Sequence, residues 1–435
     1  MMRVCWHSRR CRTGRERCRM TAAPTALRRN RDFNLLWGSL TLSQLGSNIS
    51  GLAFPLLVLA LTGSPVQAGA VGTVAAVARV ATRLPAGVLL DRVNRRTAML
   101  VCDGVRLVAF GGLGVLVLTD HATLLLIGLT AVIESVGSAI FEIAERSALP
   151  MVVPLEQIPD AIARNSVRGA ATALVGPPIG GTLFGIARAL PFLADALSYL
   201  LSFIGIYLIR RPMQKDAAER ERVPILRGLR DGLRFVFTHR FLRAYLFIAV
   251  SFNLAIQGTT FCLYLALRLH GVPPREIGFA EAILGLGGLA GGFLAGFLRR
   301  RLSLLALVRG ICWGGAALLG VDALLAGRLV SAIPIAVVFL LLPAINSVLI
   351  GHQAAITPNE MQGRVASVLG TFAGGLATLG PLIAGAFVHG VGAPAAMIFS
   401  AAVMGVGALV ATFGRGIREM RPVDRPVATA GAGSS

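Results

Sequence analysis

Charge is what this chain has least of. Only 14% of its 435 residues are Asp, Glu, Lys or Arg, against 55% hydrophobic, whereas soluble proteins carry about a quarter charged residues. Lysine is nearly missing, with Lys215 the sole one. A Gly-x-x-x-x-Gly-Lys-Ser/Thr phosphate loop is therefore excluded, and with it an ATPase motif in this sequence. Cysteines are few. Cys5, Cys11 and Cys18 lie in the Arg-rich start with no C-x-x-C spacing, and Cys102, Cys262 and Cys312 fall singly in apolar runs. Neither a disulfide framework nor a zinc site is expected, and no cofactor. The serines and histidines form no triad-like arrangement, so an enzyme is not expected; His352 is read as structural. Residues 1–31 hold ten arginines and no apolar stretch, which excludes a secretory signal there.

What the chain has in abundance is apolar runs long enough to cross a ~30 Å hydrocarbon layer. Bounded by Pro, Gly and charge, they predict an all-α integral membrane protein with twelve spans, at 34–61, 66–90, 97–118, 122–144, 162–186, 189–209, 244–268, 276–298, 303–326, 331–353, 363–388 and 394–414. The formal charge of +21 is no sign of nucleic acid, because most basic residues fall in alternate gaps and at the termini. That is the positive-inside pattern, which puts both termini in the cytoplasm and the protein in the cell membrane. Residues 1–33 and 415–435 are expected as disordered basic tails, 34–209 and 244–414 as two six-helix bundles, and 210–243 as a cytoplasmic linker. Within the linker, Leu226, Leu229, Leu233 and Val236 recur opposite Arg227, Arg230 and Arg234, predicting an interfacial amphipathic helix. Two readings of residues 1–19 stay open: translation from Met20, or a tail lying on lipid headgroups.

The halves repeat. Pro154 precedes Pro177 by the same interval as Pro358 precedes Pro381, and Leu84-x-x-Gly87 with Arg95-Arg96 returns as Leu289-x-x-Gly292 with Arg300-Arg301. Duplicated six-span halves are the transporter pattern that binds substrate at their interface.

Gly87-x-x-x-Asp91-Arg92-x-x-Arg95-Arg96 between spans two and three resembles motif A of the major facilitator superfamily. Gly176-Pro177-x-x-Gly180-Gly181 in span five resembles motif C of its exporter branches. With Arg29-Asn30-Arg31-Asp32-Phe33 before span one and Leu149-Pro150-x-x-Val153-Pro154, the chain is similar over about residues 28–415 to the branch holding macrolide-efflux-like and siderophore-exporter-like carriers, the transmembrane secretion effector type. The resemblance implies a pseudo-two-fold pair of bundles. It also implies an Asp91 that docks against the amino end of span eleven when the outward side opens, and a motif C bend that favours export. Gly87 is expected to let spans pack closely at the surface. The second copy of motif A has Gly296 in place of the acid, so the latch is one-sided.

Charges inside a membrane are costly and therefore informative. Glu134, near midplane in span four, is the first candidate to carry a proton or meet a cationic substrate; the alternative is a structural acid. Arg79 in span two is the expected counter-charge. Asp103 and Arg106, at i and i+3, are expected to pair, and Glu142, Glu145 and Arg146 to join the motif A network. Asp195, Glu281 and Asp322 fall near outer helix ends, open to snorkelling or cavity-mouth roles. Gln44 and Asn48 on span one, Asn253 and Gln257 on span seven, and Asn346 on span ten offer cavity hydrogen bonds or helix-to-helix contacts. Asn48 stands nearest to where many drug exporters carry an acid.

These features predict a monomeric proton-coupled exporter of small amphipathic molecules, of drug or siderophore type, in contact with membrane lipids and working by alternating access. Two alternatives remain: an uptake permease for a small nutrient, told apart by flux direction, and a non-transporting receptor or assembly protein, which would tolerate Asp91→Asn.

Overall fold

A computed structural model describes Leu27, residues 30–209 and residues 225–418. The first half runs α1 (Arg31–Thr62), α2 (Pro65–Arg92), α3 (Arg95–Leu118), α4 (Leu124–Val152), α5 (Ile158–Ile186) and α6 (Leu190–Tyr207). After α7 (Ile225–Thr238) come α8 (Arg240–Leu269), α9 (Pro274–Arg301), α10 (Leu304–Leu324), α11 (Ala332–Ile356), α12 (Asn359–Ala377), α13 (Gly380–Gly390), α14 (Ala393–Phe413) and α15 (Arg415–Arg418). Eleven stretches among the described residues are long and apolar enough to cross a membrane. The twelfth predicted span, α2, is 28 residues long and packs between α4 and α13; Arg79 and Arg83 lower its hydropathy. Every described element is helical, in keeping with the all-α expectation.

Local chemistry sets the turns. Gly63 closes α1 in the left-handed region (φ 64°), and Ser64 then caps α2 by accepting from the Gln67 amide, with Pro65 as its first residue. Such a turn reverses the chain in three residues. The amino-terminal boundary differs from expectation. Asn30 accepts from the Phe33 amide at 3.2 Å and donates to the Val152 carbonyl at 2.8 Å, so α1 starts before residue 34. The carboxyl boundary differs as well: α15 is helical where a tail is predicted, because Gly416 lies against the Arg240 backbone and Ile417 is fully buried. The rest of both predicted tails, residues 210–224 of the linker, and the side chains of Asp91 and Arg92 lie outside the described residues. Predicted span eleven is two helices, since Pro381 has no amide to give the Ala377 carbonyl and Thr378 and Leu379 tighten into three-residue turns. Pro177 and Pro178, by contrast, sit inside an unbroken α5.

The two halves meet along a seam built twice. On α5, a Cβ at Gly181 would overlap the Pro274 carbonyl of α9, and one at Gly278 of α9 would overlap the Pro177 carbonyl. On α13, Gly385 lies in the same way against the Pro65 carbonyl of α2, and Gly69 of α2 against that of Pro381. The Leu382 amide also donates to Thr73 Oγ1 at 3.1 Å. Both seams lie toward the end away from the Arg95-Arg96 and Arg300-Arg301 clusters. At the basic end the halves stand apart, and α2 and α12 touch sparsely. Gly87, expected to allow close packing, faces open space, as does Gly292.

Candidate functional site

Between the halves, in the basic part of the spans, lie a 630 Å³ cavity against the first half and a 390 Å³ cavity against the second. The first is lined by Gln44, Asn48, Arg79, Arg106, Glu134 and Glu142, among others. The second is lined by Tyr245, Phe252, Asn253, Asn346 and Gln353 with aliphatic neighbours and no charged side chain. A deeper 320 Å³ pocket shares Asn48, Arg79 and Glu134 with the first and adds Phe54, Phe261 and Tyr264.

Behind the charged wall a buried polar network joins four helices. Arg106 of α3 donates to Asp103 Oδ1 at 2.6 Å and to Ser138 Oγ at 3.2 Å, and its Nη1 lies 3.7 Å from Glu134 Oε2. Ser202 of α6 donates to Asp103 Oδ2 at 2.7 Å. Glu134 accepts from Ser138 at 2.6 Å and from the Tyr199 hydroxyl at 3.0 Å. That hydroxyl also lies 3.0 Å from Ser47 Oγ and 3.3 Å from Asp195 Oδ2. Asp195 accepts in addition from Ser50 at 2.6 Å and Ser198 at 3.0 Å. Asp103, Arg106 and Asp195 are at most 1% exposed, whereas the Glu134 side chain keeps 15% exposure to the cavity. Two glycines make room: a Cβ at Gly46 would strike Ser198 and Asp195, and one at Gly137 would strike the Arg106 side chain. Arg106 is sandwiched between the rings of Tyr199 (4.4 Å) and Phe141 (4.8 Å). Phe54, Phe110 and Phe192 then cover the network edge-on, with Phe110 5.4 Å from Tyr199. Buried charges survive only when paired and hydrogen-bonded. Here Asp103 and Glu134 share one guanidinium and Asp195 joins them through hydroxyls, so the network is one acid-rich unit that opens to the cavity at Glu134.

The predicted residues divide. Glu134, Gln44 and Asn48 line the charged cavity, and Asn253 and Asn346 the neutral one. Gln257 is exposed, and its Cβ backs onto Gly380, just as Asn48 backs onto Gly176. Asn48 and Gln257, like Gln44 and Asn253, are thus mates under the pseudo-two-fold. Arg79 is not the partner of Glu134: it pairs with Glu142 at 3.4 Å, beside Arg83 (3.6 Å) and Arg146 (2.6 Å). The Arg79 and Glu134 side chains line the same two pockets, and the Arg79 guanidinium reaches Glu142 and not Glu134. Glu142 and Glu145 likewise meet Arg79 and Arg168 (2.8 Å from Glu145) and not the described motif A arginines. Arg95 donates to the Ser147 carbonyl at 3.0 Å, and Arg96 to the Ile206 carbonyl at 3.3 Å and to that of Tyr207. Both tie α3 to the ends of α4 and α6. In motif C, Gly176 and Gly180 seat α5 on Asn48 and Ile49 of α1, while Pro177 and Gly181 form the seam. Asp195 and Asp322, read as open to snorkelling or cavity-mouth roles near outer helix ends, are fully buried, and Glu281 lies against Tyr264. Tyr199, Ser47 and Ser50 are the functional candidates that sequence reasoning missed, and Asp195 was named without this network. A tyrosine four residues after a membrane acid was the one available signal.

The family profile described as transmembrane secretion effector matches residues 22–426. The multidrug efflux pump Tap of Mycolicibacterium fortuitum is 26% identical over 81% of this chain and 87% of its own. Macrolide efflux protein A of Streptococcus pyogenes is 21% identical over 63% and 70%. Among solved structures, a bacterial homologue of the iron transporter ferroportin in an inward-facing state superposes with TM-score 0.67 at 17% identity, covering 89% of this chain and 98% of that one.

Proposed function

This chain belongs to the transmembrane secretion effector family of the major facilitator superfamily, and on that premise we propose that it is a proton-driven exporter of small amphipathic molecules. In this reading the basic end faces the cytoplasm, the protein works as a monomer in the cell membrane, and the state described above is open inward. Cargo enters between a charged wall and an apolar, amide-bearing wall. Rocking of the halves then opens the glycine seam on the far side and closes the basic end. Motif A at the end of α2 and the amino end of α12 are the surfaces that would meet on closure, where the helix dipole favours an acid.

The observation that carries the reading is the pairing of unlike walls. Glu134, 15% exposed and 3.7 Å from Arg106, is a carboxylate that can gain or lose a proton at the cavity surface. The facing wall offers Phe252, Tyr245 and Asn253 to an apolar body with a few acceptors. The efflux relatives support the direction. The test is a compound-susceptibility panel in a host stripped of its own exporters. Expression should raise the tolerated concentration of macrolides and other amphipathic compounds, and inverted vesicles should accumulate the same compounds. Uniform susceptibility with and without the protein would overturn export.

A further inference from the structure

We propose that Asp195 is an internal proton store and that Tyr199 relays its proton to Glu134. The proposal rests on the proton-coupled reading above and adds to it the carboxyl that holds the proton out of contact with the cavity. The geometry is a chain of three groups. Asp195 Oδ2 is 3.3 Å from the Tyr199 hydroxyl, which is 3.0 Å from Glu134 Oε2. A tyrosine hydroxyl has one proton and two lone pairs, so it cannot donate to two carboxylates at once. A proton on one of the two acids lets the hydroxyl bridge both, giving to one and accepting from the other. With that proton on Asp195, Oδ2–H donates to the Tyr199 oxygen, Tyr199 donates to Glu134, and the Glu134 charge meets Arg106.

The transfer balances without any added reagent. The Asp195 proton moves to the Tyr199 oxygen while the Tyr199 proton moves to Glu134 Oε2. Tyr199 is neutral before and after, and one proton has crossed from a fully buried acid to one that touches the cavity. Asp195, left as a carboxylate, keeps the Ser50 and Ser198 hydroxyls as donors. The titratable or charged groups facing it are Glu134 from α4, Asp103 and Arg106 from α3, and Tyr199 from its own helix. α1 contributes the hydroxyls of Ser47 and Ser50. The charged residues of α5 (Asp160, Arg164 and Arg168) lie in its first turns, at the other end. Asp195 is five residues into α6 from the seam end, roughly 7.5 Å of helix rise, so opening of the seam is what would reload it.

The test follows the protonated-carboxyl infrared band of the purified full chain after an upward pH jump. Subtracting the Asp195→Asn spectrum should isolate the component that decays after the jump; a difference spectrum without such a component overturns the store. Tyr199→Phe keeps the ring on Phe110 and Arg106 and removes only the hydroxyl. It should retain the band and slow its decay by about a hundredfold, the scale of a lost proton-transfer partner. Decay at the wild-type rate overturns the relay. Should Tyr199→Phe fail to fold, Ser50→Ala serves instead: losing the 2.6 Å donor must shift the band, and an unshifted band counts against Asp195. Vesicles separate the two levels. If a pH gradient fails to drive erythromycin in the wild type, proton coupling itself fails. If it drives Tyr199→Phe and wild type equally, the relay alone fails.

Discussion

Asp103 and Arg106 pair in α3 of the first half, and the residues 205 positions later, at the offset of the repeated arginine pairs, are Val308 and Ile311, buried and apolar. The turn of α14 that corresponds to Tyr199 in α6 reads Ala401-Ala402-Val403-Met404, and the middle of α11 that corresponds to Glu134 is apolar from Val338 to Leu342. The seam, by contrast, is the same in both halves: Gly181 on Pro274 and Gly385 on Pro65. The two halves thus share the seam and differ in the interior of one bundle. In the proposed cycle both seams open together, which calls for symmetry there. The proposed proton site needs only one copy, and a second buried charged network would cost several kcal/mol in desolvation.

The largest effect tests that difference in the cores. Arg106→Met leaves Asp103 and Glu134 buried without their cation and should destabilise the protein by about 3–5 kcal/mol, read by thermal unfolding in detergent. Ile311→Met at the mate position should cost less than about 1.5 kcal/mol. Equal losses would erase the asymmetry. The seam should behave in the opposite way: Gly181→Leu and Gly385→Leu each force a side chain into a carbonyl of the other half, at about 1–3 kcal/mol. Spin-label distances across that end should widen alike in both variants, and a one-sided response would break the symmetry. On the neutral wall, Asn253→Ala should raise KM for exported compounds by about threefold to tenfold, the worth of one hydrogen bond, without changing the pH dependence of transport. The smallest effect lies on α7, where Asp231 meets Arg364 at 3.3 Å with both side chains partly exposed. Asp231→Asn should move the melting transition by no more than about 0.5 kcal/mol.

Much of this was legible in the sequence. Run lengths placed the spans to within a few residues, since hydrocarbon thickness sets them, except that α4 runs on to Val152. The Gly-Pro spacing marked the repeat that the two seams share, and Asn48 and Gln257 take matching places because each backs onto a glycine of the neighbouring helix. The network was not legible. Ser50 and Asp195 are 145 positions apart and Glu134 and Tyr199 65, and depth in a helix does not say which way a residue faces. That is why Glu134 was matched with Arg79 and not with Arg106. Gly87 faces open space here, and the close packing expected of it belongs to the proposed closed state. The predicted linker helix is present as α7, but it packs on α12, with Gly232 against the Arg364 carbonyl and Val236 fully buried. An amphipathic pattern specifies an apolar partner without naming it.

The claim at the centre is that the charged half couples protons while the neutral half meets cargo. Its most direct test is Glu134→Gln in proteoliposomes, with macrolide flux measured twice: once under an imposed pH gradient, and once as exchange with macrolide on both sides and no gradient. The account predicts that the gradient-driven flux is abolished and the exchange persists. Gradient-driven flux at the wild-type rate in Glu134→Gln would contradict it.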